Sequence, residues 1–185
     1  MSPTSTWNGR GGSKGPMTRP LHQPSAHETL RSRRRRRPGR FATSDQQSET
    51  ERNKAVVQRF IEEVQNQKDW AVFDELNAPD FVNLSAPPGM PADLAGGKMF
   101  LAAFVNAFPD SHVTIDDMIA EGDRVATKKT MTGTHTGEFN GIAPTGKRVE
   151  IQFVDILRLR DGQIIEHWLS MDQLSFMQQL GVIPS

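Results

Sequence analysis

One stretch in the last third of the chain constrains the fold more than any other. FVDILRLRDGQIIEHWLSMD runs from Phe153 to Asp172 and has two β-rich segments on either side of Asp161-Gly162. An Asp-Gly pair between such segments is a strong signal for a tight β-hairpin. The sequence therefore predicts two neighbouring antiparallel strands here, and the length of the turn decides which side chains share a face.

Two turn lengths are compatible with this hairpin. A two-residue loop, followed by a regular ladder, sets Leu157 against Glu166. A three-residue loop, in which Gly162 adopts a positive φ as a bulge, pairs Leu157 with Ile165 instead. The second register separates apolar from charged side chains, so it is the register we predict.

The predicted register brings an acid and an imidazole together on an apolar face. Asp155 stands directly opposite His167, and the apolar members of that face are Phe153, Leu157, Ile165 and Leu169. A buried carboxylate and an imidazole can simply satisfy each other as a structural pair. Two perturbed titratable groups on a cavity wall are also how proton-transfer sites are built. The spacing of the residues alone favours neither interpretation over the other.

Hydrophobic periodicity elsewhere predicts helices in the first half of the folded region and strands in the second. The predicted helices cover about 49–66, 69–76, 98–108 and 172–181. The predicted strands cover 81–84, 112–120, 124–134, 148–159 and 163–171. Ser48 to Glu51 reads as a capping box, and Asp69 and Asp172 read as helix N-caps. This order predicts an α+β domain with helices on one face of a curved, largely antiparallel sheet.

Charge divides the chain at about residue 45. Residues 1–45 hold ten of the 22 Lys and Arg against two acids, a balance of +8, so the remainder carries −8. The segment is rich in Gly, Pro, Ser and Arg, which predicts a disordered tail at 1–45 and a folded domain at 46–185. Its RSRRRRRPGR run could hold nucleic-acid phosphates, but an unstructured extension, which could reflect an overcalled translation start, is the interpretation we favour.

Other features narrow the class of protein. The chain has no cysteine, which excludes disulfides and thiolate zinc sites, and no apolar run approaches the roughly 18 residues of a membrane helix. No apolar segment follows the arginines, so we do not expect this stretch to be a secretory signal. We therefore expect a cytoplasmic protein that does not associate with membranes.

The remaining motifs give little support for other chemistry. GIAPTGK at 141–147 resembles a phosphate-binding loop, but Arg148 stands where Ser or Thr is needed and the segment joins two strands, so we expect a cavity-rim loop. The histidines, at 22, 27, 112, 135 and 167, form no metal-binding pattern, so we expect no metal. His135 is expected to face solvent or to stabilise a turn.

Several motifs together resemble the SnoaL-like polyketide cyclases, also called ester cyclases, of the nuclear-transport-factor-2-like superfamily. These are APDFVN at 78–83, EGDRVA at 121–126, GTHTGEFNGIAPTGKRV at 133–149, DILRLRDGQIIEHW at 155–168 and LGV at 180–182. The resemblance implies a cone-shaped α+β barrel around a deep pocket. It also implies ring closure of a polyketide by intramolecular aldol condensation, without metal or organic cofactor.

Carried over by position, the resemblance identifies site residues. Asp155 falls where such cyclases place a polar pocket residue, His167 matches their strand histidine, and Asn83 matches a pocket asparagine. We expect the ligand-binding residues to be Asn83, Phe104, Phe153, Leu169 and Met171. The chain departs from the family at Leu169, where characterised cyclases have their acid-base aspartate two residues past the histidine.

Two functions therefore stay open. In the first, the protein is an enzyme in which Asp155 holds the tautomer of His167 and His167 removes a proton α to a carbonyl. In the second, it binds a small molecule or acts as a scaffold, and the pair is structural. We also expect a homodimer formed through the outer sheet face, where Ile156, Ile164 and Trp168 are predicted to lie.

Overall fold

A computed structural model of the protein describes residues 44–184. The predicted disorder of the arginine-rich segment, and the nucleic-acid role considered for it, fall on residues outside this range. The helical elements are α1 (Ser44–Arg59), a π-helical segment (Phe60–Asn66), α2 (Trp70–Leu76), α3 (Leu94–Ala107) and α4 (Gln173–Leu180). The strands are β1 (Asn77–Asn83), β2 (His112–Glu121), β3 (Arg124–Thr134), β4 (Arg148–Arg160) and β5 (Gln163–Met171).

The first helix begins earlier than predicted and changes form before it ends. Because α1 begins at Ser44, Ser48 lies inside it, and its hydroxyl donates a hydrogen bond to the carbonyl of Asp45 at 2.7 Å. The predicted capping box is therefore wrong. After Arg59 the helix widens, and the N–H of Gln67 bonds the carbonyl of Glu62, five residues earlier, at 3.0 Å. Widened turns of this kind are frequent at functional sites.

The other helices begin at aspartate caps. Asp69 and Asp172 accept hydrogen bonds from the first-turn N–H groups of α2 and α4, which confirms both predicted caps. Asp93 does the same for α3, whose first residue is Leu94 instead of the predicted Lys98. Each carboxylate satisfies N–H donors that have no partner within their own helix.

The five strands form one mixed sheet in the order β1-β5-β4-β3-β2. The four predicted consecutive strands, β2 to β5, pair antiparallel with their chain neighbours. Strand β1 is longer than predicted and pairs parallel with β5 at the sheet edge. The predicted α+β fold class is confirmed.

The main core lies between the helices and one face of the sheet. Val57 and Ile61 from the first helical run pack with Val125, Ile151 and Leu157 from the strands, and all five are at least 96 % buried. This face therefore carries the apolar side chains that alternate along β3 and β4. Within residues 44–184, no helix is long and apolar enough to span a membrane.

The hairpin between β4 and β5 has a two-residue loop. Asp161 and Gly162 have φ values of 53° and 80°, and Arg160 pairs with Gln163. Positive φ at both central residues is what a type I′ turn requires, and its twist matches that of the flanking strands. The predicted three-residue turn is therefore wrong.

A bulge inside β5 separates apolar from charged residues without the longer turn. Leu159 pairs with Ile164 while Arg158 pairs with Glu166, so Ile165 is an extra residue on β5. Such a bulge inserts one residue against its partner strand and resets the ladder beyond it. The Arg158 guanidinium donates a hydrogen bond to the Glu166 carboxylate at 3.1 Å.

The bulge also shifts the pairing of the acid and the imidazole. Asp155 lies opposite Leu169, and Leu157 lies opposite His167. The predicted Asp155–His167 and Leu157–Ile165 pairs are therefore wrong, because the extra residue lies in the strand and not in the turn. A shift of two residues conserves the face of each side chain, so Asp155 and His167 still share one face as diagonal neighbours.

The outer face of the hairpin is less apolar than predicted. Ile156 is 39 % exposed and pairs with Trp168, whose ring lies 5.9 Å from the Arg124 guanidinium. Ile164, predicted on this face, is 1 % exposed and belongs to the core. The bulge turns Ile164 inward, so its assignment to the outer face is wrong. In its place, Ile165 lines a surface groove beside Arg158.

Candidate functional site

Two neighbouring cavities lie between the inner sheet face and the helices. The larger has a volume of about 110 Å³ and the smaller about 60 Å³. Four residues line both cavities: Gln65, Phe100, Leu101 and Asp155. An apolar cavity of about 150 Å³ holds a benzene molecule, so the space available suits a ligand fragment about the size of one ring.

The predicted site residues divide between these two cavities. Phe104, Phe153, Leu169 and Met171 line the larger cavity, and Asn83 and His167 line the smaller one. Asp155 is common to both. The structure thus brings all seven to one region, with the buried carboxylate where the two cavities meet.

Asp155 is a buried carboxylate with two basic neighbours. It is 3 % exposed, and it forms a salt bridge and a hydrogen bond with the ammonium group of Lys129 through Oδ2. Its other oxygen, Oδ1, lies 3.3 Å from Nε2 of His167. This second contact is long, and Oδ1 has no well-aligned hydrogen-bond donor among residues 44–184.

These neighbours determine the charge state of Asp155. Burial alone would raise the pKa of its carboxyl, but the charge of Lys129 and the contact with His167 outweigh burial and lower the pKa to about 2. Asp155 is therefore ionised at neutral pH. An ionised acceptor facing Nε2 favours the tautomer in which that nitrogen carries the hydrogen, which leaves the lone pair on Nδ1.

Lys129 is the site residue that sequence reasoning missed. It is fully buried on β3, and its Nζ lies 3.2 Å from Oε1 of Gln65 and 4.7 Å from the centre of the Phe153 ring. Strict alternation with Val125 and Met131 on β3 would have placed it on the inner face. A buried cation needs a buried anion, and Asp155 was the acid already assigned to that face.

Asn83 is held at the end of β1, where the chain turns away from β5. Its backbone pairs with that of His167, and its Oδ1 accepts a hydrogen bond from the N–H of Ser85 at 3.0 Å. The side chain is 8 % exposed. The parallel pairing of β1 with β5 therefore fixes the distance between the asparagine and the histidine.

His135 stabilises the long connection between β3 and β4. It is fully buried, it stacks on Phe108, and its Nδ1 accepts a hydrogen bond from the N–H of Thr145 at 3.3 Å. Burial lowers the pKa of this histidine. The solvent-facing alternative for His135 is wrong, and the turn-stabilising one agrees with the structure. Phe139 of the same connection lines the larger cavity, whereas none of residues 141–147, the predicted rim loop, lines either cavity.

No group of three or more His, Asp or Glu side chains suited to a metal ion occurs within the described part of the chain. The one acid of this site, Asp155, contacts Lys129 and His167.

Comparison with known proteins gives the family. Residues 55–180 match the model of the SnoaL-like polyketide cyclases. The chain therefore belongs to this family. No curated protein matches it significantly.

Solved structures agree with this assignment. AclR of Streptomyces galilaeus, a proposed hydroxylase, is 32 % identical with a TM-score of 0.66, and the alignment covers 74 % of this chain and 85 % of AclR. IdmH of Streptomyces antibioticus, a proposed polyketide cyclase, is 34 % identical with a TM-score of 0.61, covering 70 % and 98 %. A proposed SnoaL-like cyclase of Jannaschia sp. CCS1 is 26 % identical with a TM-score of 0.68, covering 79 % and 100 %.

Proposed function

We propose that the protein is a cyclase-type enzyme that performs acid–base chemistry on a small carbonyl compound, without a metal or an organic cofactor. The observation that carries the proposal is the position of Asp155, which lines both of two largely apolar cavities and contacts both Lys129 and His167, the latter on the wall of the smaller cavity. A buried carboxylate with a shifted pKa on a cavity wall, in contact with an imidazole, is characteristic of proton-transfer sites.

The charge state of Asp155 supports a division of roles within this cluster. A carboxylate with a pKa of about 2 is a weak base near neutral pH, so Asp155 is the orienting group and His167 is the base. Asp155 holds Nε2–H of the imidazole, which directs the lone pair of Nδ1 to the ligand. In this arrangement a buried aspartate orients a histidine that acts as the base.

The proposed reaction proceeds in two proton transfers. Nδ1 of His167 removes a proton from the carbon α to a carbonyl, the C–H electron pair forms a C=C bond, and the carbonyl π pair moves to oxygen. The enolate carbon then attacks a second carbonyl of the same molecule and forms a C–C bond. The alkoxide so formed takes the proton back from the imidazolium, which restores the enzyme.

The cavities support a small and mostly apolar substrate. Phenylalanine, leucine and methionine side chains dominate the wall of the larger cavity, and its volume suits one ring at a time. The polar lining residues are Gln65 and Asp155 in both cavities, Ser111 in the larger one, and Asn77, Asn83 and His167 in the smaller one. We propose that the carbonyl groups of the substrate lie near the junction and its hydrocarbon part in the larger cavity.

One feature favours a second function, the binding of a small molecule without turnover. Leu169 occupies the position at which the resemblance implies an acid-base aspartate, and it lies opposite Asp155. A ligand-binding protein needs no base there. In that case, the ion pair between Lys129 and Asp155 serves only to satisfy two buried charges.

Cyclisation of a β-polyketo ester, followed by product analysis, separates the two functions. The enzyme proposal expects turnover that falls about 10²-fold or more in His167→Gln and substantially in Asp155→Asn. Outward-facing Glu166→Gln is the matched control and should keep the wild-type rate. Binding of the ester with no turnover by the wild-type protein would favour the binding function and contradict the enzyme proposal.

A further inference from the structure

Gln65 is a polar residue of the cavity walls that has no role in the reaction proposed above. It lies in the π-helical segment and lines both cavities together with Asp155. Its Oε1 accepts a hydrogen bond from the ammonium group of Lys129 at 3.2 Å. An ammonium group only donates, so the atom facing Lys129 must be the oxygen of the amide, and the amide nitrogen is fixed on the other side.

The amide nitrogen of Gln65 has no hydrogen-bond partner among residues 44–184. No acceptor within residues 44–184 takes a hydrogen bond from Nε2, although the residue is only partly exposed. A polar group of a cavity wall that has no protein partner is a place for a polar ligand atom. Because Nε2 carries two N–H donors, the atom it suits is an oxygen.

Gln65 is also held rigidly at its other end. Its backbone carbonyl accepts a hydrogen bond from Nζ of Lys68 at 2.5 Å, and Lys68 in turn bonds the hydroxyl of Ser111 at 2.9 Å. Two lysines therefore hold the backbone and the side chain of one glutamine. A donor that is fixed before the substrate binds needs little free energy for reorganisation when charge develops on its partner.

We propose that Gln65 is a catalytic residue whose Nε2 donates a hydrogen bond to the substrate carbonyl oxygen that becomes the enolate oxygen. This inference rests on the proposed function, because it assigns a donor to the same reaction. When His167 removes the α-proton, negative charge collects on that oxygen, and the Gln65 N–H bond to it strengthens. This uncharged donor suits a substrate in which the reacting group is a neutral carbonyl and the rest of the molecule is apolar.

The test uses a stable anion that resembles an enolate and needs no turnover. 4-Nitrophenol has one ring, and its phenolate form absorbs visible light while the neutral phenol does not. Titration of the full chain with 4-nitrophenol and with the uncharged analogue 4-nitrotoluene gives the affinity for the anionic oxygen and for the ring separately.

Two variants of Gln65 distinguish donation from packing. Gln65→Glu keeps the shape and the oxygen that faces Lys129 but has no N–H donor, and Gln65→Leu removes both polar atoms without adding charge. Gln67→Leu is the control, because Gln67 bonds Glu62 on the surface. We expect phenolate affinity to fall at least tenfold in both Gln65 variants, with 4-nitrotoluene affinity within about twofold of wild type.

Three results would overturn the proposal: no phenolate binding by the wild-type protein, undiminished phenolate binding by Gln65→Leu, or equal losses for phenolate and 4-nitrotoluene. Thermal unfolding of each variant checks that it is folded, and Gln65→Met, which also lacks an N–H donor and adds no charge, replaces Gln65→Leu if that variant does not fold. If the phenolate result is as expected but no α-proton is removed from any ketone, the donor stands as a binding group and the proposed reaction fails.

Discussion

Asp155 and His167 contact each other across the β4–β5 hairpin although neither is the pairing partner of the other. Their side-chain atoms Oδ1 and Nε2 are 3.3 Å apart, while the residue opposite Asp155 is Leu169. The second carboxylate oxygen, Oδ2, forms the salt bridge with Lys129. One carboxylate therefore contacts both an ammonium group and an imidazole.

Removal of Lys129 should expose the energetic cost of the buried carboxylate. We predict that Lys129→Met lowers the free energy of unfolding by about 3–5 kcal/mol, because Asp155 is then buried without its cation. The measurement is urea denaturation at pH 7. Lys128→Met, at the neighbouring exposed position of β3, should stay within about 0.5 kcal/mol of wild type. Equal effects of the two substitutions would contradict the role of the buried pair.

The low pKa of Asp155 predicts a specific acid sensitivity. Its pKa is lowered from 3.8 to about 2 in the folded protein, so its ionised form contributes about 2 kcal/mol that is fully present above about pH 4. That contribution is lost as the pH falls from about 4 to 2. The stability of the wild-type protein should therefore fall toward that of Asp155→Asn over this interval. A difference between the two proteins that is constant from pH 5 to pH 2 would contradict the lowered pKa.

Restoring the family carboxylate should increase aldol activity. Leu169→Asp puts a second acid opposite Asp155 and next to His167 on the inner face. Two adjacent carboxylates raise the pKa of one of them, which moves it toward the range useful for a base. We predict a measurable gain in cyclisation of a β-polyketo ester, or new activity if the natural protein has none. Leu169→Asn, similar in size but unable to ionise, should show no gain.

The outer sheet face should support a homodimer. Val154 and Ile156 on β4 are 42 % and 39 % exposed, and Trp168 lies beside Ile156. We predict a dimer by sedimentation at micromolar concentration, and a shift toward monomer in Ile156→Lys. Leu174→Lys, at an exposed apolar position on α4, is the control and should leave the dimer intact. A wild-type protein that is strictly monomeric would show that this face is not a dimer interface.

The sequence predicted the architecture because its strands and helices have strong periodic patterns and clear caps. The order of elements, the caps at Asp69 and Asp172, and the antiparallel run from β2 to β5 all follow from local signals. The parallel pairing of β1 was not predictable in this way, because it depends on a contact between segments about 85 residues apart.

The hairpin shows why the site was predicted only in part. The sequence indicated a register that separates charged from apolar residues, but both a bulged turn and an in-strand bulge achieve this, and the chain uses the second, at Ile165. For that reason Ile164 was predicted on the outer face although it belongs to the core. Asp155 and His167 nevertheless lie on one face, as predicted, because the predicted and the observed registers differ by an even number of residues. Lys129 was missed because a lysine in a strand is normally assigned to solvent.

The most direct test of the central claim, that His167 removes a proton α to a carbonyl, is deuterium exchange into a simple ketone. Acetophenone has one ring and one acidic methyl group, and proton NMR in D₂O follows the loss of its methyl signal. We predict exchange faster than buffer with the wild-type protein, a loss of about 10²-fold or more in His167→Gln, and little change in Glu166→Gln. A wild-type rate no faster than buffer, or a rate that His167→Gln leaves unchanged, would contradict the account.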